Sequence, residues 1–453
     1  MCVTGGVFGV VKFADNSHTN RINFHQGSVV FGGDAILQLC EIYGFDNKCY
    51  FSPTTSGESL HFRMEGRAKV RTNSNDFRVL HLGGLVSNPS VVMDWMTSAT
   101  NGAYRMNVGQ NRSGTYVFNL TNSTFEVGEV GLRIGLGDNV DVALPKNPVH
   151  GICNVLNGGE LVIDGKGAVQ KGYLSWSLCG VAVGYSGRSK ATSGKIYEGE
   201  LNIDKGGLVR TLYGDMGVGV GFAKGSVTID GGTLNFNDHE TKSSYKYQDT
   251  TCGIGMFGGE GSVTVKNGGS FASLPDVFVG GAITNRFPIQ GINFLNYSSQ
   301  KMAADSSATG TLEVADATVK FKQNLVVGMD GFGIVRRIGS EGSFEVGNIV
   351  CTNIEERVYT GSRFDFVLDE NGIGPITVAD RVSIFGNASV NVDMSAYNGK
   401  KRSFKLIDCT SHSGEFDSVS ITGVNFASQK PWLEWSSRGL RLKMSVGTVI
   451  SLR

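Results

Sequence analysis

Proline is nearly missing from this chain, with 8 in 453 residues. That excludes the proline-rich compositions of disordered linkers. Charge of one sign is also lacking: 41 Lys+Arg stand against 41 Asp+Glu. A balanced chain is not drawn to nucleic acid by bulk electrostatics, so no nucleic-acid partner is expected. No apolar run approaches the roughly 18 residues of a membrane helix, so no membrane span is expected. The opening MCVTGGVFGVVKFADNSHTN has neither a basic n-region nor a long apolar h-region, so no secretory signal is read there. The 8 cysteines include no Cys-x-x-Cys pair, which removes zinc-ribbon and thioredoxin-like readings. Cys40 and Cys49 could close a short loop; the scatter of the others is that of buried thiols. With 7 histidines and no Gly-x-Ser-x-Gly, no nucleophilic triad can be assembled. No GxxxxGK[ST] phosphate loop occurs either. No metal and no cofactor is expected.

What the chain has is glycine: 64 of them, together with 40% hydrophobic residues. Glycine with alternating Val, Ile and Phe means many short strands joined by tight turns. The barest example is LYGDMGVGVGFAKGSVTIDGGTLNF at 212–236, where three short alternating runs meet at glycines. One half of the repeat is an apolar run ending in glycine: MNVG at 106–109, LRIG at 132–135, VAVG at 181–184, VGVG at 218–221, VFVG at 277–280 and LVVG at 325–328. The other half is glycine followed by an alternating strand, beginning at Gly114, Gly159, Gly199, Gly225, Gly261, Gly310 and Gly342. A third short strand follows several of these, so a roughly triangular coil is expected. The fold class is all-β: an elongated, single-stranded, right-handed parallel β-helix (β-solenoid) with corner insertions. Stacked at the strand spacing, about a dozen coils make a rod on the order of 60 Å long.

Three parts are expected. Residues 1–103 hold N-terminal coils with an irregular insertion at about 53–100. Residues 104–359 hold the regular repeats. Residues 360–453 hold the last coils and a cap, with Trp432, Trp435 and Leu440 over the final core layer. The chain is expected to start inside the array without a polar cap, so either an upstream segment precedes Met1 or the first strands cap themselves. Cys179, Met216 and Cys252, each followed by glycine, are expected to stack in one column. Asp164, Asp204 and Asp230 are read as corner residues bonding their own backbone. A calcium roll is not expected, because GGEGSVTV at 258–265 has valine where that motif needs aspartate.

The VG…GxLxIxxGG repeat, with the C-terminal run from FDFVLDENGIGPITV to VNVDMSAY, FKLID and GEFDSVSI, resembles the autotransporter-type, sorting-signal-associated repeats of bacterial secreted β-helix proteins. The resemblance covers about residues 104–445. It implies a place outside the cell or on its surface, in adhesion or envelope decoration. It also departs from the pattern: no signal, no membrane barrel and no C-terminal anchor is seen in the sequence.

Parallel β-helices also host polysaccharide lyases and hydrolases, so an enzyme must be weighed. The Asn-Thr-Asp, Asp-Asp, Gly-His-Gly and Arg-Ile-Lys motifs of polygalacturonases do not occur. Glycosidic hydrolysis needs two carboxylates at a set separation, and the densest acid/base cluster is Asp238-His239-Glu240, in a polar insert. These three are the weak catalytic candidates. The binding candidates come from inserts read after the VG corner, at 136–158, 185–198, 281–309 and 329–341. In register, those inserts would project from one edge of the rod. They bring Tyr185, Arg188, Tyr197, Arg286, Phe287, Tyr297 and Arg336, rings and hydrogen-bonding groups suited to a sugar or a protein surface. The bland alternative is that corners simply tolerate insertion. The expected function is therefore a non-enzymatic surface or extracellular protein, adhesin-like or structural, with a surface glycan or a protein of a host or neighbouring cell as partner. The alternative is a carbohydrate-active β-helix enzyme. A trimeric receptor-binding fibre would need a trimerisation motif, and none is seen.

Overall fold

The computed structural model describes residues 2–3, 7–9, 19–24, 27–34, 36–39, 48–53, 55–72, 79–83, 86–99, 101–110, 112–137, 147–164, 180–186, 197–221, 223–237, 251–281, 307–329, 331–351, 359–423 and 430–445. Every α- or β-element among them is a strand. The sequence dictates this locally. In Lys224–Asp230, apolar and polar positions alternate, and burial alternates with them; in Val149–Val155 burial alternates in the same way, with Ile152 on the outward side. A two-residue period lets one face be dry and the other wet.

Strands pair with the third strand along, not with the next. Val149–Val155 pairs in parallel with Tyr197–Asp204, which pairs with Lys224–Asp230, and that with Glu260–Lys266. The same holds for Glu160–Ile163, Leu208–Thr211, Thr233–Phe236 and Ser270–Ser273. It holds again for Gly180–Ser186, Asp215–Val220, Cys252–Met256 and Val277–Val279. These sets are the first, second and third walls of a three-sided parallel solenoid. Thr309–Val327 and Phe332–Cys351 each run unbroken round a whole coil, touching all three walls. From Cys2–Val3 to Ser418–Thr422, thirteen parallel pairings link fourteen first-wall strands. At the strand spacing the stack is about 60 Å tall.

Inward side chains form columns. Val155, Ile203, Ile229, Val265 and Val314 succeed one another up the first wall, all buried. Trp95, Phe118 and Phe125 make an edge-to-face cluster near one end, and Phe271, Phe321 and Phe344 another further up. Among the described first-wall positions, one inward side chain is charged. Arg337, fully buried, stands in the column between Val314 and Phe366.

The corner between the third and first walls explains both halves of the repeat. Gly219 has φ +66, and a Cβ on it would lie 2.0 Å from the backbone oxygen of Glu260 in the next coil. Gly261, the first-wall glycine of that coil, would bring a Cβ 2.2 Å from the Val218 oxygen. Two coils cross here backbone against backbone, so glycine is required on both sides.

The register corrects several readings. Gly159 and Gly342 do not open first-wall strands: Glu160–Ile163 and residues 343–346 lie on the second wall. The first-wall strands of those coils are Val149–Val155 and residues 332–338. A glycine followed by alternating residues satisfies either wall, so the motif alone could not separate them. VGVG at 218–221 is two residues out of step, since Val218 pairs with Val183 and Ile254. Met216 and Cys252 do share a column, but their predecessor is Val181, not Cys179, which lies outside the described residues. Asp204 aligns with Asp230, whereas Asp164 follows a second-wall strand. Asp230 bonds its neighbouring coil, accepting from the Asn267 amide at 2.7 Å. Residues 53–100, expected as irregular, carry regular rungs: Ser59–Gly66 pairs with Ser90–Thr97 over eight residues.

At the C-terminal end, Pro431–Ser436 and Gly439–Met444 form an antiparallel hairpin on the second-wall strand Ser403–Asp408. Leu440 is buried, and Trp435 stacks on His412 at 4.4 Å. Both cover the last layer as expected; Trp432, 43% exposed, does not.

Candidate binding face

The coil determines where inserted chain leaves the rod. Residues 138–146, 187–196, 282–306 and 352–358 fall between third- and first-wall strands. Residues 10–18, 40–47, 73–78, 165–179 and 238–250 fall between second- and third-wall strands. The inserted segments therefore join strands at both edges of the third wall, where one edge was expected. Residues 329–341 are not an insert: their bulk is the first-wall strand pairing with residues 309–315. Residues 136–158 likewise contain the first-wall strand Val149–Val155.

Arg188, Arg286, Phe287 and Tyr297, and the cluster Asp238, His239 and Glu240, lie outside the described residues. Tyr197 is fully buried, its ring packed where a Cβ on Gly137 would otherwise sit. Tyr185 is 6% exposed and clusters with Leu136, Ala182, Val220, Met256 and Phe257. Neither ring is offered to a ligand on the described surface. Sequence position suggested loops, but both residues sit on strands, Tyr185 in Gly180–Ser186 and Tyr197 in Tyr197–Asp204. Arg336 does reach a solvent face. It points out of the first wall and pairs with Glu313 at 3.2 Å.

The outer sides of the walls differ. On the third wall the outward positions Asn107, Arg133, Ala182, Phe278 and Val326 are all buried, so this is no open surface. The second wall carries scattered exposed ion pairs such as Lys320–Glu345 at 3.8 Å, each worth little. The first wall has a continuous outward polar column. Asp94, Asn119, Asn154 and Asn202 stand at one register position in successive coils. The Asn119 amide donates to Asp94 at 2.8 Å, Asn154 to Asn119 at 2.7 Å, and Asn202 to Asn154 at 2.9 Å. His61 meets the other Asp94 oxygen at 2.7 Å, and Arg63 lies at 3.6 Å. Burial pushes the Asp94 carboxyl up, but the bonds from Asn119 and His61 and the charges of His61 and Arg63 outweigh it and hold the carboxyl below its usual value. Further up, the same column continues as Glu313, Arg336, Asp365 and Asn391, with Asn391 donating to Asp365 at 2.9 Å.

Beside the amides, one position earlier on the same face, Val92, Val117 and Ile152 form a half-buried aliphatic stripe. His150 and Glu200 flank it, 2.8 Å apart. Sequence reading missed the ladder. Its signal was the Asn held between apolar residues in Phe118-Asn119-Leu120, Cys153-Asn154-Val155 and Leu201-Asn202-Ile203, hidden by the misassigned Gly159 strand.

A second polar feature heads the third wall. Asp215 accepts from the Thr251 amide at 2.8 Å, yet desolvation pushes its carboxyl up to about 7 despite the Thr251 bonds. The folded chain then keeps a proton that the unfolded chain has released, so this group costs stability as pH rises from about 4 to about 7. At about 1.4 kcal/mol per pKa unit the cost reaches about 4 kcal/mol above that window. Asp215→Asn is expected to leave the urea midpoint unchanged near pH 4 and to raise stability by about 2–4 kcal/mol at pH 8. Denaturation curves at the two pH values check this.

No protein-family model, curated protein or solved structure matches the chain. The site must therefore be argued from its own geometry. Among the described residues, no group of three or more His, Cys, Asp or Glu could hold a metal ion. No helix there is long and apolar enough to cross a membrane. Cys153, Cys252, Cys351 and Cys409 are free and buried, with burial raising the first three thiols to about 12, so they are core residues and poor nucleophiles.

Proposed function

We propose that this chain is a non-enzymatic rod acting outside the cell or at its surface, adhesin-like or structural, which engages a glycan or a protein through the outer face of its first wall. The observation that carries this reading is the internally bonded column Asp94–Asn119–Asn154–Asn202 on the outer face of the first wall. Each link uses one amide hydrogen and leaves a second donor on the same nitrogen, and a carboxamide oxygen has a second lone pair. The ladder fixes these groups in place, so little side-chain entropy is lost when a partner binds. The extracellular setting rests on the repeat's resemblance to secreted bacterial β-helices.

One observation favours the enzymatic alternative. Asp215, with a carboxyl raised to about 7, is tied to Thr251, directly after the segment that holds Asp238, His239 and Glu240. A carboxyl poised there has the acidity of a general acid. Incubation with neutral and acidic polysaccharides, beside a glycan array, separates the two. Binding without any change in chain length is expected. A defined oligosaccharide product, lost in Asp215→Asn, would establish the enzyme instead.

A further inference from the structure

We infer that the partner of the first wall is a neutral, linear glycan lying parallel to the rod axis, with its rings over Val92, Val117 and Ile152 and its hydroxyls on Asn119, Asn154 and Asn202. This rests on the first wall being a binding face, and adds the ligand's class, direction and contacts. Three features point to it.

The first is periodicity. The amides repeat once per coil, at about 4.8 Å along the axis. A chain of pyranose rings offers a fresh set of hydroxyls at every ring, at a comparable step, so several rings can meet several coils in phase. An extended peptide along the same axis repeats its side chains on one face at about 6.7 Å and loses phase within two coils.

The second is the pairing of surfaces. The aliphatic and amide stripes run side by side over the same coils, because Val117 and Asn119, like Ile152 and Asn154, are two residues apart on one strand. A sugar ring has an apolar C–H face and a rim of hydroxyls that both donate and accept. Carboxamides supply both complements.

The third is charge. Asp94 is met by His61 and Arg63, His150 by Glu200, Arg336 by Glu313, and Arg363 by Asp365 at 3.0 Å. These ionic groups are paired within the face. An acidic polymer would have to displace these internal pairs to reach their cations. A neutral one need not.

The test uses the full chain and neutral oligosaccharides of defined length (β-1,4-gluco-, β-1,3-gluco-, α-1,4-gluco- and chito-series), with acidic oligogalacturonides and extended peptides as comparators. Affinity is measured by calorimetry for wild type, Val117→Arg, Ile152→Thr, Asn154→Ala and, on the second wall, Ala272→Arg. One neutral series is expected to bind, more tightly with each added ring until the ladder is spanned. Val117→Arg and Asn154→Ala are each expected to weaken it about tenfold or more, Ile152→Thr less, and Ala272→Arg not at all. Ile152→Thr keeps a β-branched outward side chain, so it reports on the stripe even if Val117→Arg does not fold. Equal affinity across all variants, preference for the acidic series, preference for peptide, or no binding to any neutral series would each overturn the inference. Binding unaffected by these variants would still leave the non-enzymatic reading standing, while a cleavage product would remove that reading itself.

Discussion

Replacing Gly219 by alanine is expected to cost at least about 3–5 kcal/mol and to leave little soluble, protease-resistant protein. The reason lies in the corner geometry. Gly219 sits at φ +66, which alone strains an L-residue by about 1–2 kcal/mol. The added Cβ would also lie 2.0 Å from the Glu260 oxygen and 2.6 Å from the Gly261 nitrogen. Those are backbone atoms of the next coil, which cannot swing away without breaking the ladder above. Gly268 is the control. It has φ +77, but a Cβ there meets nothing within 4 Å, so Gly268→Ala is expected to lose only the conformational strain, about 1–2 kcal/mol. Urea midpoints of the two variants check this. Equal losses would mean that the coils do not cross backbone to backbone at the third-wall corner.

The second large effect concerns Arg337. Its side chain points into the core and turns to the corner between first and second walls. There Nη2 donates to the carbonyls of Glu341 at 2.5 Å and Gly342 at 3.4 Å, and Nε donates to Gly374 at 3.4 Å. Nη1 is buried without a hydrogen-bond partner among the described residues. Desolvation lowers the guanidinium's pKa, and the charges of Asp316 and Asp369 oppose that shift. Arg337→Ala is expected to cost about 3–5 kcal/mol, since it opens a cavity and strands corner carbonyls. Arg337→Met should recover a good part of that loss, because the rest of its column is apolar and an unbranched side chain fills the space without a charge to desolvate. If Met is as damaging as Ala, the carbonyl bonds and not the packing are what the corner needs. Denaturant unfolding of both variants, read against wild type, decides this.

How much was legible follows from the same particulars. The solenoid was readable because its rule is local. Glycine at both sides of one corner and a two-residue alternation between corners recur along residues 104–346. Register was not readable to the same degree. A period of two fits at every second residue, so VGVG at 218–221 reads as well as the true third-wall register two residues earlier, and a glycine before a second-wall strand, as at Gly159 and Gly342, looks the same as one before a first-wall strand. Only pairing across coils separates these cases, and pairing partners lie 20 to 50 residues apart in sequence.

The binding face suffered most from this. Asn119, Asn154 and Asn202 become a column only when Val149–Val155 is recognised as the strand between the other two. Tyr185 and Tyr197 stand next to inserted segments in the sequence. Aromatic residues beside a loop are indistinguishable by sequence from those that anchor the loop's ends in the core, and these two are anchors. Arg336 lies on a first-wall strand and not in an insert, on the same outward column as the amide ladder.

The most direct measurement is a crystal structure of the full chain with a bound neutral oligosaccharide. Sugar density is expected along the rod axis on the first wall, over Val117 and Ile152, with hydroxyls within hydrogen-bond reach of Asn119 and Asn154. Density running across the axis, or seated among residues 187–196 or 282–306 with the ladder left to solvent, would contradict it.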